Sequence, residues 1–303
     1  MAGGYFLTIL IFTAMYISLA LSLNILTGYA GQVSLGHAAF LGIGAYTSAV
    51  LTVRYETPFW VAFLAAILLT GLIGTFLGLP SLRVRHDFLV LATMGINFVV
   101  VSVFKYVDFF GGAMGLVNIP APTLFGITFR GGIPYFLLTV AYALFTLLIC
   151  WYLSKTWSGL AFQTIRNDED AAASLGVNPA RYKIYAFGIS AALAGGVGSL
   201  YAHFLGSVFP DNFVFVESIG MLSMVIFGGI GTLRGPIVGA ILLRLIPELL
   251  RFIQDYRFTF YGALLVLMML FQPMGLLGNE SWLWRQITRW FRASSHGGKE
   301  TTQ

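Results

Sequence analysis

The sequence predicts an all-α fold, a polytopic bundle of transmembrane helices, on three observations. Hydrophobic residues make up 58% of the 303 residues and charged residues only 10%, against ~25% charged in an ordinary soluble domain. So few charges cannot cover the surface of a water-soluble protein of this size. The mean hydropathy is +0.84. The apolar residues also fall into stretches close to the ~20 residues that a helix needs to cross a hydrocarbon core. The abundance of glycine, 35 residues, suits such a bundle, because small residues let membrane helices approach closely.

Taken in order, the apolar stretches are 5–27, 37–53, 59–79, 88–104, 134–153, 184–205, 218–233, 236–252 and 258–271. By length this predicts about 8–10 membrane segments, the shorter of them broken or re-entrant. Stretch 59–79 stops at Pro80, and 134–153 opens on Pro134, where a missing N–H costs nothing at a helix start. Residues 1–278 are expected to form one transmembrane domain. Residues 279–303 form a tail that mixes Trp282, Trp284 and Trp290 with Arg285, Arg289 and Arg292. That composition suits an interfacial helix followed by a disordered end. No basic residue precedes the first apolar run, so a cleaved signal peptide is not expected.

Orientation follows from lysine and arginine. Placing 80–87 in the cytoplasm also places there 154–183, Arg234 and the tail. Those segments hold Arg83, Arg85, Lys155, Arg166, Arg181, Lys183, Arg285, Arg289, Arg292 and Lys299. The other side receives the smaller set Arg54, Lys105, Arg130, Arg251 and Arg257. The bias favours this arrangement and an external N-terminus. It also accounts for the net charge of +5 without a nucleic-acid partner. The single cysteine, Cys150, excludes an intrachain disulfide and a cysteine metal cluster.

Three kinds of segment interrupt the apolar pattern. The first is Gly28-Tyr-Ala-Gly-Gln-Val-Ser-Leu-Gly-His37, echoed late by Phe227-Gly-Gly-Ile-Gly-Thr-Leu-Arg-Gly-Pro236. The glycines Gly28, Gly31, Gly36, Gly228, Gly229, Gly231 and Gly235 mark helix breaks. A break at membrane depth frees backbone groups that protein or a water-lined cavity must satisfy. This makes Gln32, Ser34, His37 and the intramembrane Asn97 candidates to line a pathway, although a surface loop would read the same way.

The second is 159–179. Asn167 is the expected N-cap, Asp168, Glu169 and Asp170 complement a helix dipole, Gly176 ends the helix, and Asn178-Pro179 starts the next. A short exposed helix of this design suits docking to a partner, or is simply a solvated linker. The third is a set of small-residue pairs at a spacing of four, Gly74 with Gly78, Ala194 with Gly198 and Gly235 with Gly239, expected to serve helix packing. Among lone polar residues in apolar stretches, Asn24, Thr93, Asn97, His203, Arg244 and Glu248, the last two are four apart and can pair on one face.

Several chemistries are excluded. No Gly-x-x-x-x-Gly-Lys-Ser/Thr phosphate loop occurs, so the chain has no such route to ATP hydrolysis. No nucleophile triad, metalloprotease signature or metal-ligand set is present.

These same motifs carry a resemblance. Gly28-Tyr-Ala-Gly-Gln-Val-Ser-Leu-Gly-His-Ala-Ala-Phe40 with Leu-Gly-Ile-Gly-Ala-Tyr46 is similar to the opening signature of LivM-type permeases of branched-chain amino acid ABC transporters. Ala171-Ala-Ala-Ser-Leu-Gly176 before Arg181-Tyr-Lys resembles their cytoplasmic coupling loop. Phe227–Pro236 and Pro273-Met-Gly-Leu-Leu-Gly278 resemble their later motifs, so the likeness runs from about Leu23 to Gly278. It implies a permease of a bacterial inner membrane with a second, similar permease beside it. It further implies two cytoplasmic ATPase subunits that use the ATP and a periplasmic binding protein that delivers substrate, with no cofactor held by this chain. Gly159, Arg166, Asp168, Glu169, Ala171, Ala172 and Gly176 would then form the ATPase-coupling loop. The chain departs in 96–104, where the family usually carries an acidic residue and an arginine and this sequence has no charge. Urea and short-amide permeases are similar in sequence and stand as the alternative. A stand-alone channel or ion-coupled carrier is the rival from another class.

Overall fold

The computed structural model describes residues 2–79, 86–124, 127–129 and 132–249, and beyond these 259, 262–263, 266–267, 270 and 275–277. Ten helices follow one another among them: α1 (Ala2–Asn24), α2 (His37–Arg54), α3 (Phe59–Leu77), α4 (His86–Tyr106), α5 (Gly132–Lys155), α6 (Trp157–Asn167), α7 (Glu169–Ser174), α8 (Pro179–Leu205), α9 (Phe215–Gly228) and α10 (Gly235–Leu249). Six helical segments are long and apolar enough to cross a membrane: Gly4–Tyr29, Phe59–Leu77, Phe88–Tyr106, Gly132–Lys155, Pro179–Leu205 and Pro210–Gly228. Gly235–Leu245 is a shorter apolar helix. The expected segment 258–271, the loop 80–87 and the tail 279–303 lie largely or wholly outside the described residues.

Caps written in the sequence set both ends of α8. Asn178 caps α8, its Oδ1 accepting from Arg181 N at 3.3 Å, and Pro179 takes the first turn. The cap therefore starts α8 itself, a helix five residues longer at this end than the apolar stretch alone. At its far end Gly206 adopts the left-handed conformation and its N–H returns to Ala202 O.

Helix α8 is the hub, crossing both α2 and α3. Its small residues explain the close approach. A Cβ on Gly198 would overlap Leu41 O and stand 2.7 Å from Ala45 N. One on Gly74 would overlap the Ala191 methyl, and one on Gly78 would stand 2.9 Å from Phe187 Cβ. The small-residue pairs thus pack helices, as expected. Buried tyrosines of α5 satisfy themselves on α8 carbonyls: Tyr142 Oη donates to Leu193 O at 2.8 Å and Tyr135 Oη donates to Leu200 O. Hydroxyls within spans bond back to carbonyls one turn earlier, as Thr13 does to Ile9 O at 2.8 Å. Cys150 is enclosed, its Sγ 3.6 Å from Leu21 O.

Helix α2 is an interior helix. Fourteen of its 18 residues are buried, and its N-terminus starts inside the protein after the irregular stretch 30–36. Ser218 Oγ of α9 accepts from Ala38 N at 2.9 Å, which caps this buried start from another helix.

The two ends of the bundle differ. At one, β1 (Leu116–Val117) pairs antiparallel with β4 (Ser207–Val208), Leu116 opposite Val208, and β2 (Thr123–Leu124) pairs with β3 (Ile127–Thr128). Arg54 there donates to Asp108 O at 3.2 Å, and Lys105 lies 3.8 Å from Asp211. Beneath this end His203 Nδ1 donates to Pro120 O at 2.7 Å, with Nε2 2.9 Å from Ser48 Oγ. At the opposite end stand α6, α7 and the glycine breaks.

Candidate functional site

The glycine breaks and the α6–α7 corner come together in one junction. It begins where α1 ends. The helix widens into a π turn over Ile25–Tyr29, with Ala30 N donating to Ile25 O at 3.1 Å. Gln32 N then closes the end on Leu26 O at 2.9 Å. The chain reverses at Gly31, whose φ of +69° is a left-handed value that side chains resist. This geometry leaves the Gly28 carbonyl outside the helical ladder.

The second break falls between α9 and α10. Thr232 Oγ1 donates to Gly229 O at 2.9 Å and accepts from Gly235 N at 3.0 Å, so one threonine ends one helix and starts the next. Gly228 and Gly235 meet backbone to backbone: a Cβ on Gly228 would overlap Gly235 O. The late motif closes on this turn, with Leu276 N donating to Phe227 O and Leu277 N to Gly228 O, both at 2.9 Å.

Asn24 fastens the two breaks together. Its Oδ1 accepts from Gly231 N at 2.9 Å and its Nδ2 donates to Thr232 O at 2.9 Å. Gly28 lies against both partners, because a Cβ there would overlap Asn24 Oδ1 and stand 2.6 Å from Gly231 N. Only an amide offers a donor and an acceptor side by side for this pair of backbone groups.

Above the junction stands the α6–α7 corner. Gly159 lets α6 turn tightly out of α5, since a Cβ would overlap Leu153 O. Arg166, in the last turn of α6, donates from Nη1 to Gly28 O at 2.6 Å. Its Cα, Cβ and Cγ lie 3.0–3.3 Å from where a Gly31 side chain would begin, and Nη1 occupies the place of a Gly231 side chain. A cation at the carbonyl end of α1 also complements the helix dipole.

The cap of α7 is Asp168, not Asn167. Asp168 Oδ1 accepts from Asp170 N at 2.9 Å and Ala171 N at 3.0 Å, while Asn167 remains the last residue of α6. Extended backbone at Asp168, φ −160° and ψ 116°, selects it. Glu169 pairs with Lys183 at 2.5 Å and ties α7 to α8. Ala172 is buried under the corner, Ala171 is exposed, and Gly176 ends the turn at φ +83°.

The four pathway candidates are all interior. Gln32 is 2% exposed and Ser34, His37 and Asn97 are 0% exposed. Ser34 Oγ accepts from Gly36 N at 3.2 Å, and Gly36 is pressed against the carbonyl of Thr93 on α4. His37 Nε2 shares a hydrogen bond with Ser22 Oγ at 2.8 Å, and Asn97 Nδ2 donates to Phe213 O at 3.2 Å. His37 Nδ1 and Asn97 Oδ1 are buried with no hydrogen-bond partner among the described residues. The expected pairing of Arg244 with Glu248 rests on a side chain that lies outside the described residues. Arg244 stands over the rings of Phe12 and Tyr16 on α1, 5.2 and 4.9 Å from their centroids, while Tyr16 Oη donates to Glu217 Oε2 at 3.0 Å.

Sequence reasoning picked out Asn24 only as a lone polar residue and did not foresee its bridge. A signal was present: an amide one turn before a glycine break carries both hydrogen-bonding functions and must find partners there. Among the described residues no group of three or more His, Cys, Asp or Glu is placed to hold a metal ion.

Comparison with known proteins points to one family. Residues 5–271 match the family described as branched-chain amino acid transport system / permease component. The high-affinity branched-chain amino acid transport system permease protein LivM of Escherichia coli K12 is 37% identical over 289 residues, 88% of this chain and 68% of the relative. LivM of Salmonella typhimurium is 36% identical over the same shares. LivH of that organism, the permease protein of the same named system, is 24% identical over 87% of this chain and 91% of its own. No solved structure matches the chain. A bundle of membrane-length helices with these breaks, matched to that family over nearly its whole length, places the chain in the branched-chain amino acid transport system permease family.

Proposed function

We propose that this chain is the membrane-spanning half of an ATP-driven importer for branched-chain amino acids. It pairs with a second, LivH-like permease, two cytoplasmic ATPase subunits and a periplasmic binding protein. The observation that carries this reading is the α6–α7 corner. It is a pair of short helices with an exposed outer face, on which Trp157, Leu160 and Leu175 are 71%, 56% and 76% exposed. On its inner face it is joined to the breaks in the helices. Such a corner offers a docking surface to a motor outside the membrane, and the chain itself lacks a phosphate loop. ATP is therefore used by the partners, and this chain holds no cofactor.

In this reading the end bearing α6 and α7 faces the cytoplasm and the β1–β4 end faces the binding protein. Substrate passes between this chain and its partner permease when the helices around Gln32, Ser34, His37 and Asn97 part. The orphan atoms His37 Nδ1 and Asn97 Oδ1 support this, because an unpaired buried polar group is costly and often marks a group reserved for another state or ligand. A stand-alone carrier is not needed to account for Arg244, whose cation is held over the rings of Phe12 and Tyr16.

The test is reconstitution of the complex in liposomes with labelled leucine, isoleucine and valine, and with urea as the competing solute. ATP-dependent uptake of the amino acids is expected. Full-rate uptake without ATPase subunits would overturn the importer reading, and ATP-driven uptake of urea alone would replace the substrate. Alanine at Gln32, Ser34, His37 or Asn97 is expected to slow uptake, and unchanged uptake in all four would remove the pathway assignment.

A further inference from the structure

Besides the packing of the buried Phe162 and Ile165, movement at the α6–α7 corner has three specific routes into the bundle. Two are through the chain itself, back into α5 at Gly159 and onward into α8, where Lys183 and Glu169 reinforce the link. Both lead to the flanks of the helix breaks. The third leads to the breaks themselves, through Arg166. Its guanidinium bonds the Gly28 carbonyl that the π turn leaves outside the helical ladder, and the same Nη1 lies against Gly231 across the junction. Its backbone and β-carbon sit over the reversal at Gly31. Asn24 then ties Gly231 and Thr232 to the end of α1, so that a displacement at one break is carried to the other.

Packing holds α6 from beneath through Phe162 and Ile165, Phe162 meeting the Tyr182 ring of α8, while Arg166 alone among these bonds the Gly28 carbonyl. A cavity of about 420 Å³ opens beside the junction, among Tyr29, Lys155, Gln163, Thr232 and Arg234. Space on that side of α6 lets the helix shift without pushing the second break through bulk contact. The bonds across the junction are those of Arg166 and Asn24.

We propose that Arg166 is the positioning residue that converts displacement of α6–α7 into rearrangement of both helix breaks. This rests on the importer reading above. Arginine suits the role better than lysine, because its planar fork can hold a carbonyl and lie along a glycine backbone at once, whereas an ammonium is a point charge.

The experiment uses the complete complex in liposomes and records labelled leucine uptake and ATP hydrolysis in the same vesicles. Arg166→Ala is expected to hydrolyse ATP within about twofold of wild type while moving about tenfold less leucine per ATP. Arg166→Lys should fall between the two. A ratio of leucine to ATP unchanged in Arg166→Ala, or uptake and hydrolysis falling in parallel, would overturn the proposal. Should Arg166→Ala fail to assemble, Arg166→Met, which keeps most of the stem and removes every donor, carries the test with the same two outcomes. The two readings fail separately. A wild-type complex without ATP-driven uptake sinks the importer reading, whereas a pumping wild type matched by Arg166→Ala sinks only the role of Arg166.

Discussion

Asn24→Ala combined with Arg166→Ala forms a double-mutant cycle across the junction. Asn24 makes two hydrogen bonds of 2.9 Å to backbone groups, and it is 0% exposed. Truncation removes both and leaves an N–H and a carbonyl enclosed. At ~1–3 kcal/mol for each stranded group, with some relaxation, the single variant should lose about 2–4 kcal/mol. Arg166 contributes one charge-assisted bond from a partly exposed side chain, so its truncation should cost about 1–2 kcal/mol. If Asn24 holds Gly231 where Arg166 lies against it, the second substitution costs less once the first has loosened the turn. The double variant should then be about 1 kcal/mol more stable than the sum, beyond the ~0.3–0.5 kcal/mol scatter of independent sites. Equilibrium unfolding in mixed dodecyl maltoside and SDS micelles, followed by circular dichroism, measures all four corners. Additivity within about 0.5 kcal/mol would refute the idea of one connected junction.

Three further outcomes are expected from the same unfolding measurement or from hydrogen exchange. Gly198→Ala forces α2 and α8 apart against backbone atoms and should cost about 1–3 kcal/mol. Gly95→Ala on α4, where a Cβ meets nothing within 4 Å, should be neutral or gain up to ~1 kcal/mol, and equal effects would contradict the packing account. Asp168→Ala removes the cap of a six-residue helix, a loss of about 1 kcal/mol. Faster amide exchange confined to 169–175 should report it, and unchanged exchange there would mean that tertiary contacts alone hold α7. Lys183→Met breaks the pair with Glu169, whose side chain is 31% exposed. The cost should fall between the ~0.5 kcal/mol of a surface pair and the 3–5 kcal/mol of a buried one. Adding Glu169→Gln should recover part of it, and no recovery would assign the loss to packing of the lysine stem.

Much of the architecture was legible because a bilayer imposes length and composition on each span. The stretch 59–79 became Phe59–Leu77, and 37–53 became His37–Arg54. Asn178-Pro179 named its own helix start. Local rules failed where two residues compete for one role or where the partner is distant in sequence. Asn167 and Asp168 are both good caps, and only the backbone conformation chose between them. Arg244 also stands over rings that come from α1, a contact that spacing along one helix cannot reveal. The breaks were visible as glycine clusters, but their meeting was not, because more than two hundred residues separate Asn24 from Thr232. Gln32, Ser34, His37 and Asn97 were chosen for polarity beside a break, and the fold encloses all four.

Enclosure of the solitary thiol has a practical consequence. Cys150 is fully covered and engaged with the α1 backbone, so maleimides added from either face of a vesicle meet no native target. The unmodified chain can therefore serve as its own blank for accessibility scanning. A cysteine introduced at an outlying position such as Trp157 or Met114, 71% and 82% exposed, would report by its reactivity alone which surfaces stay wet and which an associating subunit shields.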